Sequence, residues 1–348
     1  MIVKILPAFN GDFILIKNRI GDKMHNIIVD SGTPKTYATS FSEEIKLLQQ
    51  SGEDIDLLVT THIDDDHIGG IVNYFSDESS DKKLLKGAWF NSGKMLTDHF
   101  GCEIDPKRRV KIIPKGAISM SVPQGQSLEA ALEKLAIWKH PLLISGHQET
   151  IGGVTLQVLS PNLGALEMLN KKWETEKSDT ILMSSNKHDD FHIDIKNLVT
   201  RDFKQDAAIP NGSSIAFLAT SGNKKGLFLA DSHPSTVIAS LEDLKYSRDK
   251  KLKLDMVKVS HHASKGNTST ELLEIIDCKR FVVSTDGSKH GLPDKEAIAR
   301  IIHQFPNCTI YFNYKNEITQ SIFTEQDKLD YPNFEVCYLS DTNYIMPF

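Results

Sequence analysis

The stretch LLVTTHIDDDHIGG, Leu57 to Gly70, constrains this chain more than any other part of it. It sets two histidines and three aspartates within six consecutive positions, His62 to His67, directly after an apolar run. Solvated loops are built more cheaply from Ser, Asn and Gly. Adjacent carboxylates repel one another, and the flanking LLVTT and IGGI predict partial burial, where unpaired charge is expensive. A cation relieves both costs. In an extended segment residues i and i+2 point the same way, so His62 and Asp64 can reach one ion. Asp66 and His67 then turn away at the start of a helix and can serve a second ion close by. Imidazole with carboxylate suits Zn²⁺, and the high carboxylate share keeps Mn²⁺ or Fe compatible. A helix N-terminus here adds positive potential, which favours an anionic substrate. Asp65 reads as an ordinary capping residue.

A centre with two ions needs ligands from elsewhere in the fold. Asp231 ends the apolar run GLFLAD, His261 and His262 end DMVKVS, and His290 follows VVSTDGSK. All lie just past the ends of expected strands, where functional groups collect in layered α/β folds. One such residue alone is ordinarily a cap. Several on the same side of a sheet, together with the first cluster, point to a site.

The rest of the chain reads as strands and helices in alternation. IVKIL, FILIK and NIIVD are strands broken at Asn10-Gly11 and Gly21-Asp22, DLLVT is a short apolar strand, and residues 39–50 carry a helical pattern. SSIAFLAT and GLFLAD form a hairpin. LDMVKVS, RFVVST and TIYFNY are strands, SIFTE closes the core with them, and DKEAIARIIHQF is a helix. SLEAALEKLAIW, 127–138, is a further helix, while 170–198 is polar and irregular. The implied class is α/β or α+β, in layers. The chain has 348 residues, 40% of them hydrophobic and 25% charged, enough for one large core or two smaller ones.

A net charge of −6 and a pI of about 6.1 argue against a broad, unspecific nucleic-acid surface. The basic runs KRRVK at 107–111 and RDKKLKLDMVK at 248–258 read as solvated faces. Four cysteines without a CxxC pair favour a reducing compartment. The N-terminus lacks a signal-like apolar core, and no stretch matches a membrane helix, so the expectation is a cytoplasmic chain with no membrane partner. HDDFH, 188–192, has a metal-like composition but lies in the polar stretch, where surface residues are expected. HFGC, 99–102, reads as incidental. Trp89, Phe90, Trp138 and Trp173 read as packing residues.

These motifs jointly resemble the metallo-β-lactamase-fold metallohydrolases. The family's HxHxDH signature stands here as HIDDDH, with Asp64 in place of the second histidine. That form is similar to the subgroup typified by the hydrolase domain of the bacterial DNA-uptake protein ComEC. NGDFILIK resembles its opening motif and IIVDSG its aspartate turn. NGSSIAFL, LFLAD and VKVSHHAS match three further motifs in order. The resemblance covers about 1–75 and 206–305 and implies a four-layer αββα sandwich in one domain, 1–348. Residues 76–150 and 162–205 are then insertions acting as a lid or docking elements.

Carried over, His62 and Asp64 would hold the first metal, Asp66 and His67 the second, with Asp231 bridging and His261 completing the second site. His262 would bind metal or substrate. Asp12 and Asp30 would orient the ligands. The family's third first-site histidine has no clear match. Asn211 and Ser213 fall nearest by position, and His147 and His233 lie outside the pattern. The downstream segment is KHGLP, with Leu292 where a histidine stands in the family and His290 two residues earlier. One tightly held ion with a weaker second one is therefore also open.

The implied activity is metal-assisted hydrolysis, with two divalent ions supplying a hydroxide, Asp66 orienting it, and His262 or His290 serving the leaving group. The subgroup resemblance implies a phosphodiesterase or nuclease acting on nucleic acid or nucleotides, with Lys258, Lys265 and Lys289 facing the substrate. The alternatives are an ester, lactone or thioester hydrolase, or a non-catalytic metal-binding subunit that meets a protein partner through its insertions.

Overall fold

The computed structural model describes residues 1–101, 121–138, 140–175 and 188–347, without the side chains of 121–123 and 173–175. The basic run 107–111, Cys102 and the side chain of Trp173 lie outside the described residues.

The apolar runs near the N-terminus send alternate side chains to two destinations. Val3, Ile5, Ile14, Ile16, Ile27, Val29, Leu57 and Val59 point into a core shared with a second sheet. Leu15, Ile28 and Leu58, between them in sequence, point to a layer of helices. A strand covered on both faces has to be apolar throughout, which explains why these runs lack polar alternation. They form β1 (Ile2–Ile5), β2 (Ile14–Ile20), β3 (Lys23–Val29) and β4 (Leu57–Val59), with β5 (Ala88–Trp89) at the edge. Spatial order follows sequence order. The β1–β2–β3 pairs are antiparallel and the β3–β4–β5 pairs parallel.

The second sheet has eight strands. β6 (Gln148–Ile151), β7 (Val154–Ser160), β8 (Ala216–Ser221) and β9 (Lys224–Phe228) run as an antiparallel meander. A small separate pair, β10 (Leu252–Lys253) with β12 (Ile276–Asp277), lies outside it. The large sheet continues in parallel through β11 (Met256–Lys258), β13 (Arg280–Val283), β14 (Thr309–Phe312) and β15 (Glu335–Tyr338).

Three apolar cores define the layers. One lies between the sheets. A second packs the helices Ser42–Gln50, Asp65–Ser76 and Ser121–Leu135 on the first sheet, through Ile45, Leu48, Ile68, Ile71, Leu128 and Leu132. The third packs Pro234–Asp243, Thr270–Glu274 and Lys295–Gln304 on the second sheet, through Val237, Leu241, Leu272, Ile298 and Ile302. The architecture is the αββα sandwich expected, with extra elements. Among the described residues no helix is long and apolar enough to cross a membrane.

Some expectations need correction. SIFTE is not a strand: Thr324 caps the short helix Glu325–Asp330, its hydroxyl accepting from Asp327 N, and β15 beyond it completes the sheet instead. The helix expected at 127–138 begins at Ser121 and ends at Leu135. HDDFH is not simply surface. Asp190 is buried and accepts from the backbone N of Glu296 at 2.8 Å, capping the helix Lys295–Gln304, and His188 stacks on Phe191. A buried Lys295 Nζ–Asp327 Oδ2 pair at 2.5 Å fastens the same segment, with Asp327 Oδ1 accepting from Ile195 N at 2.7 Å. Trp89 and Phe90 are core residues, and Trp138 stacks over Phe90.

Candidate metal centre

The candidate ligands hang from the C-terminal ends of parallel strands. β4 ends at Val59 and leads into His62 and then the helix that starts at Asp65, with Asp64 as its N-cap. β9 ends at Phe228, three residues before Asp231, and β11 ends at Lys258, just before His261 and His262. β13 leads into the loop that carries His290. Parallel neighbours end on the same side, so residues from four loops meet there.

Asp231 sits at the middle. Its Oδ1 lies 3.4 Å from His67 Nε2. Its Oδ2 lies 3.8 Å from His62 Nε2 and 3.5 Å from His261 Nε2. Asp64 Oδ2 is 3.6 Å from His62 Nε2. On the other flank Asp66 Oδ2 is 3.4 Å from His262 Nε2, and Asp66 Oδ1 is 4.0 Å from His67 Nε2. His62, His67 and Asp231 form one compact group of donor atoms, and Asp66, His67 and His262 another. The arrangement is that of two adjoining cation sites.

The atoms facing this space are left without protein partners. Nε2 of His62, His67 and His262 and Oδ1 of Asp231 are all buried and make no hydrogen bond. A buried polar atom without a partner is expensive, and here several converge. The opposite edges of the rings are fully engaged. His67 Nδ1 donates to Asp30 Oδ2 at 2.8 Å. His62 Nδ1 donates to Thr61 Oγ1 at 3.0 Å, and that hydroxyl donates to Asp30 Oδ2 at 2.7 Å. His262 Nδ1 donates to the carbonyl of Ser284 at 2.7 Å. An imidazole whose Nδ1 donates turns its Nε2 inward, and that atom serves as a metal ligand once any proton on it is displaced. This donor set fits divalent cations.

Electrostatics reinforce the pattern. Burial pushes His67 toward neutrality, but Asp231 and Asp30 outweigh it and hold its pKa well above the ordinary value. His262 is likewise raised, Asp12 and Asp66 overcoming burial. Burial works to raise Asp66 and Asp231. For Asp66 the imidazoles of His262 and His67, and for Asp231 those of His261 and His67, hold the carboxyl below its usual range. Asp65, on the outer side, is raised by burial and accepts from Gln124 Nε2 at 2.6 Å. His290 is lowered, first by burial, and feels the charges of Asp66, His261 and His262.

The structure therefore brings together His62, Asp64, Asp66, His67, Asp231, His261 and His262, with His290 close by. Of the four residues considered for the missing ligand, Asn211 lies against the centre, its Nδ2 3.3 Å from His261 Nδ1. Asn211 Nδ2 donates to Asp206 Oδ2 at 2.6 Å, and Ser213 Oγ to the carbonyl of Pro210 at 2.6 Å. His233 Nε2 lies 3.8 Å from Asp206, and His147 packs on Trp89. Lys258 does not face a substrate. It is fully buried and donates to Asp12 Oδ2 between the two sheets. The supporting residues Asn10, Thr61, Asn267 and Ser284 carried no signal in the sequence, because a lone polar residue beside a motif looks like any turn residue.

The model of the metallo-beta-lactamase superfamily matches residues 7–77. No curated protein matches the chain. Solved structures with a similar course include Zn²⁺-bound PqqB from Methylobacterium extorquens, at 10% identity over 97% of this chain and 98% of that one, TM-score 0.41. The metallo-beta-lactamase fold protein YhfI from Bacillus subtilis is also 10% identical over 97% and 95%, TM-score 0.38. At such scores neither likeness bears on what this chain does. The layered sandwich, the match over 7–77 and the converging histidines and aspartates together give the chain a metallo-β-lactamase fold carrying the ligand equipment of a metal-dependent hydrolase.

Proposed function

We propose that this chain hydrolyses small carboxylic-ester-type substrates (esters, lactones or thioesters) at a centre of two divalent cations, with Zn²⁺ the favoured metal and Mn²⁺ or Fe compatible. The observation that carries the metal centre is the set of buried, unpartnered Nε2 atoms around Asp231. His62, Asp64 and Asp231 would hold one cation, and Asp66, His67 and His262 the other. Bound there, divalent cations supply Lewis acidity and lower the pKa of water toward neutrality. The chain's own part is to fix the ligands through Asp30, Thr61 and Ser284. Asn10 Nδ2 donates to Asp66 Oδ2 at 3.0 Å and so orients the carboxylate nearest the reacting water. His290, its pKa lowered by burial, would take a proton from the attacking water and pass it to the leaving group.

The surroundings favour a small substrate over a nucleic acid. Lys258 is internal. Lys265 Nζ lies 3.5 Å from Asp294, and Arg201 pairs with Glu296 at 3.2 Å, so the cations beside His261 are balanced by carboxylates. The cleft they line with Asp206 measures about 440 Å³, within the range of small-molecule pockets. The ComEC-type resemblance argues for phosphodiesters, and of the three lysines expected to face them Lys289 remains available. Gln124, in the 76–150 segment, would wall the site through its contact with Asp65.

The test is turnover of p-nitrophenyl acetate and a simple γ-lactone against bis(p-nitrophenyl) phosphate, in Zn²⁺ and in Mn²⁺. Esters should be cleaved at least about tenfold faster, and Asp66→Ala should lower that rate by about 10²–10⁴. Faster phosphodiester cleavage would replace the ester reading. Equal activity of wild type and Asp66→Ala would remove the centre from catalysis.

A further inference from the structure

The first cation site is short of a nitrogen donor. His62, Asp64 and one oxygen of Asp231 fill four positions with a water, but only one of these three protein ligands is an imidazole, where catalytic zinc sites commonly carry at least two nitrogen or sulfur donors. Two adjacent histidines lie opposite, and the family resemblance puts His261 in the second site. The distances divide the pair differently. The two oxygens of Asp231 face opposite flanks: Oδ1 looks to His67 at 3.4 Å, and Oδ2 to His62 at 3.8 Å. His261 Nε2 stands 3.5 Å from Oδ2, on the His62 flank. His262 Nε2 stands 3.4 Å from Asp66, on the other. Resting on the metal-centre reading above, we infer that the adjacent histidines serve different cations: His261 completes the first site with His62, Asp64 and Asp231, and His262 completes the second with Asp66 and His67.

The backbone supplies an independent reason. In an extended strand neighbouring side chains point to opposite faces, so only one of two adjacent histidines could reach a centre. Here φ is 45° at His261, 52° at His262 and 66° at Ala263, a left-handed turn built without glycine. In a helical turn successive side chains diverge by roughly 100° instead of 180°, so both rings can face the same space from different angles. Their planes are 69° apart and their centroids 5.9 Å. Each such residue is strained, and strain of this kind collects where function requires it. The turn is held by His261 N donating to Ala230 O at 2.8 Å and Ser264 N to His261 O at 2.8 Å.

Separate clamps also aim the two rings. His262 Nδ1 is held by the Ser284 carbonyl. His261 Nδ1 lies 3.0 Å from Asn267 Oδ1 and 3.3 Å from Asn211 Nδ2, and Asn267 Nδ2 donates to the carbonyl of Asp231 at 3.1 Å. Asn267 thus ties the His261 ring to the bridging aspartate, with its Nε2 facing that side.

Glycine is the fitting test substitution, because it deletes the ring and suits the left-handed backbone. Full-length chain is stripped of metal and titrated with Zn²⁺ by calorimetry and with Co²⁺ by visible absorbance, alongside thermal melts that report folding. His261→Gly and His62→Ala should each weaken one equivalent by at least about 100-fold, and the double variant His62→Ala/His261→Gly should keep the other equivalent at wild-type affinity. His62→Ala/His262→Gly should lose both. The assignment is overturned if His62→Ala/His262→Gly keeps an equivalent that His62→Ala/His261→Gly loses, or if His261→Gly binds both equivalents as wild type does. A wild-type chain that takes up no cation overturns the metal centre, and this assignment with it.

Discussion

Asp30 shows how much of the centre is decided by a residue that touches no cation. Its carboxylate accepts from His67 Nδ1, Thr61 N and Thr61 Oγ1 at once, at 2.7–2.8 Å, and through Thr61 it also orients His62. Asp30→Ala should therefore lower Zn²⁺ affinity by about 10- to 100-fold while the fold persists, read by competition with a chelator. The raised pKa values of His67 and His262 set the pH dependence. A raised folded-state pKa gives the metal-free chain stability that is complete below the ordinary histidine value and is lost as pH climbs through the raised one. The depressed Asp66 and Asp231 act oppositely, contributing above the ordinary carboxylate value and failing as pH falls through the lowered one. Cations must displace the imidazole protons, so binding should release protons, and affinity should rise about tenfold per pH unit for each proton displaced. Calorimetry in buffers of different protonation enthalpy measures that release, and its absence would show that the rings bind metal from the neutral state. The ligand types were legible in HIDDDH because no cheaper explanation fits five ionisable side chains beside an apolar strand. The division of labour between His261 and His262 was not, since it depends on a left-handed turn that no glycine announces.

The elements carry the next decisions, and the helix Asp65–Ser76 depends on a close backbone approach. The Asn10–Asp12 turn lies against its first residues, with Asp12 N donating to the carbonyl of Asp66 at 3.2 Å. A Cβ on Gly11 would sit 1.8 Å from that carbonyl oxygen. Gly11→Ala should thus cost about 1–3 kcal/mol by overpacking, seen in denaturant midpoints, and should weaken the equivalent held by Asp66 more than the one held by His62. A wild-type midpoint and unchanged binding would mean that the turn yields freely. Strands buried on both faces, such as LLV at β4, were readable as strands from their unbroken apolar character. SIFTE misled because a short apolar pair fits a strand or a capping turn equally, and Thr324 with Asp327 decides it through a reciprocal cap. Asp190 was hidden for a related reason: a helix cap supplied from about a hundred residues away leaves no local pattern.

At the scale of the whole molecule, a buried lysine–aspartate pair joins the halves. Lys258 on β11 of the second sheet reaches Asp12 beside the first, both side chains at most 2% exposed. A lysine in an apolar strand gave no hint of this partner, and the sequence reading turned it toward solvent. Removing one member strands a buried charge, so Lys258→Met should destabilise the chain by about 3–5 kcal/mol. Adding Asp12→Asn should recover part of that loss, measured by urea unfolding. Equal stability of wild type and Lys258→Met would mean that water replaces the amine. The convergence of ligands from β4 on one sheet and from β9 and β11 on the other has a mechanical meaning as well. Whatever ion settles against Asp231 is gripped by two slabs at once and works as a rivet across their seam, so the chain's catalytic readiness and the rigidity of the whole sandwich rise and fall together.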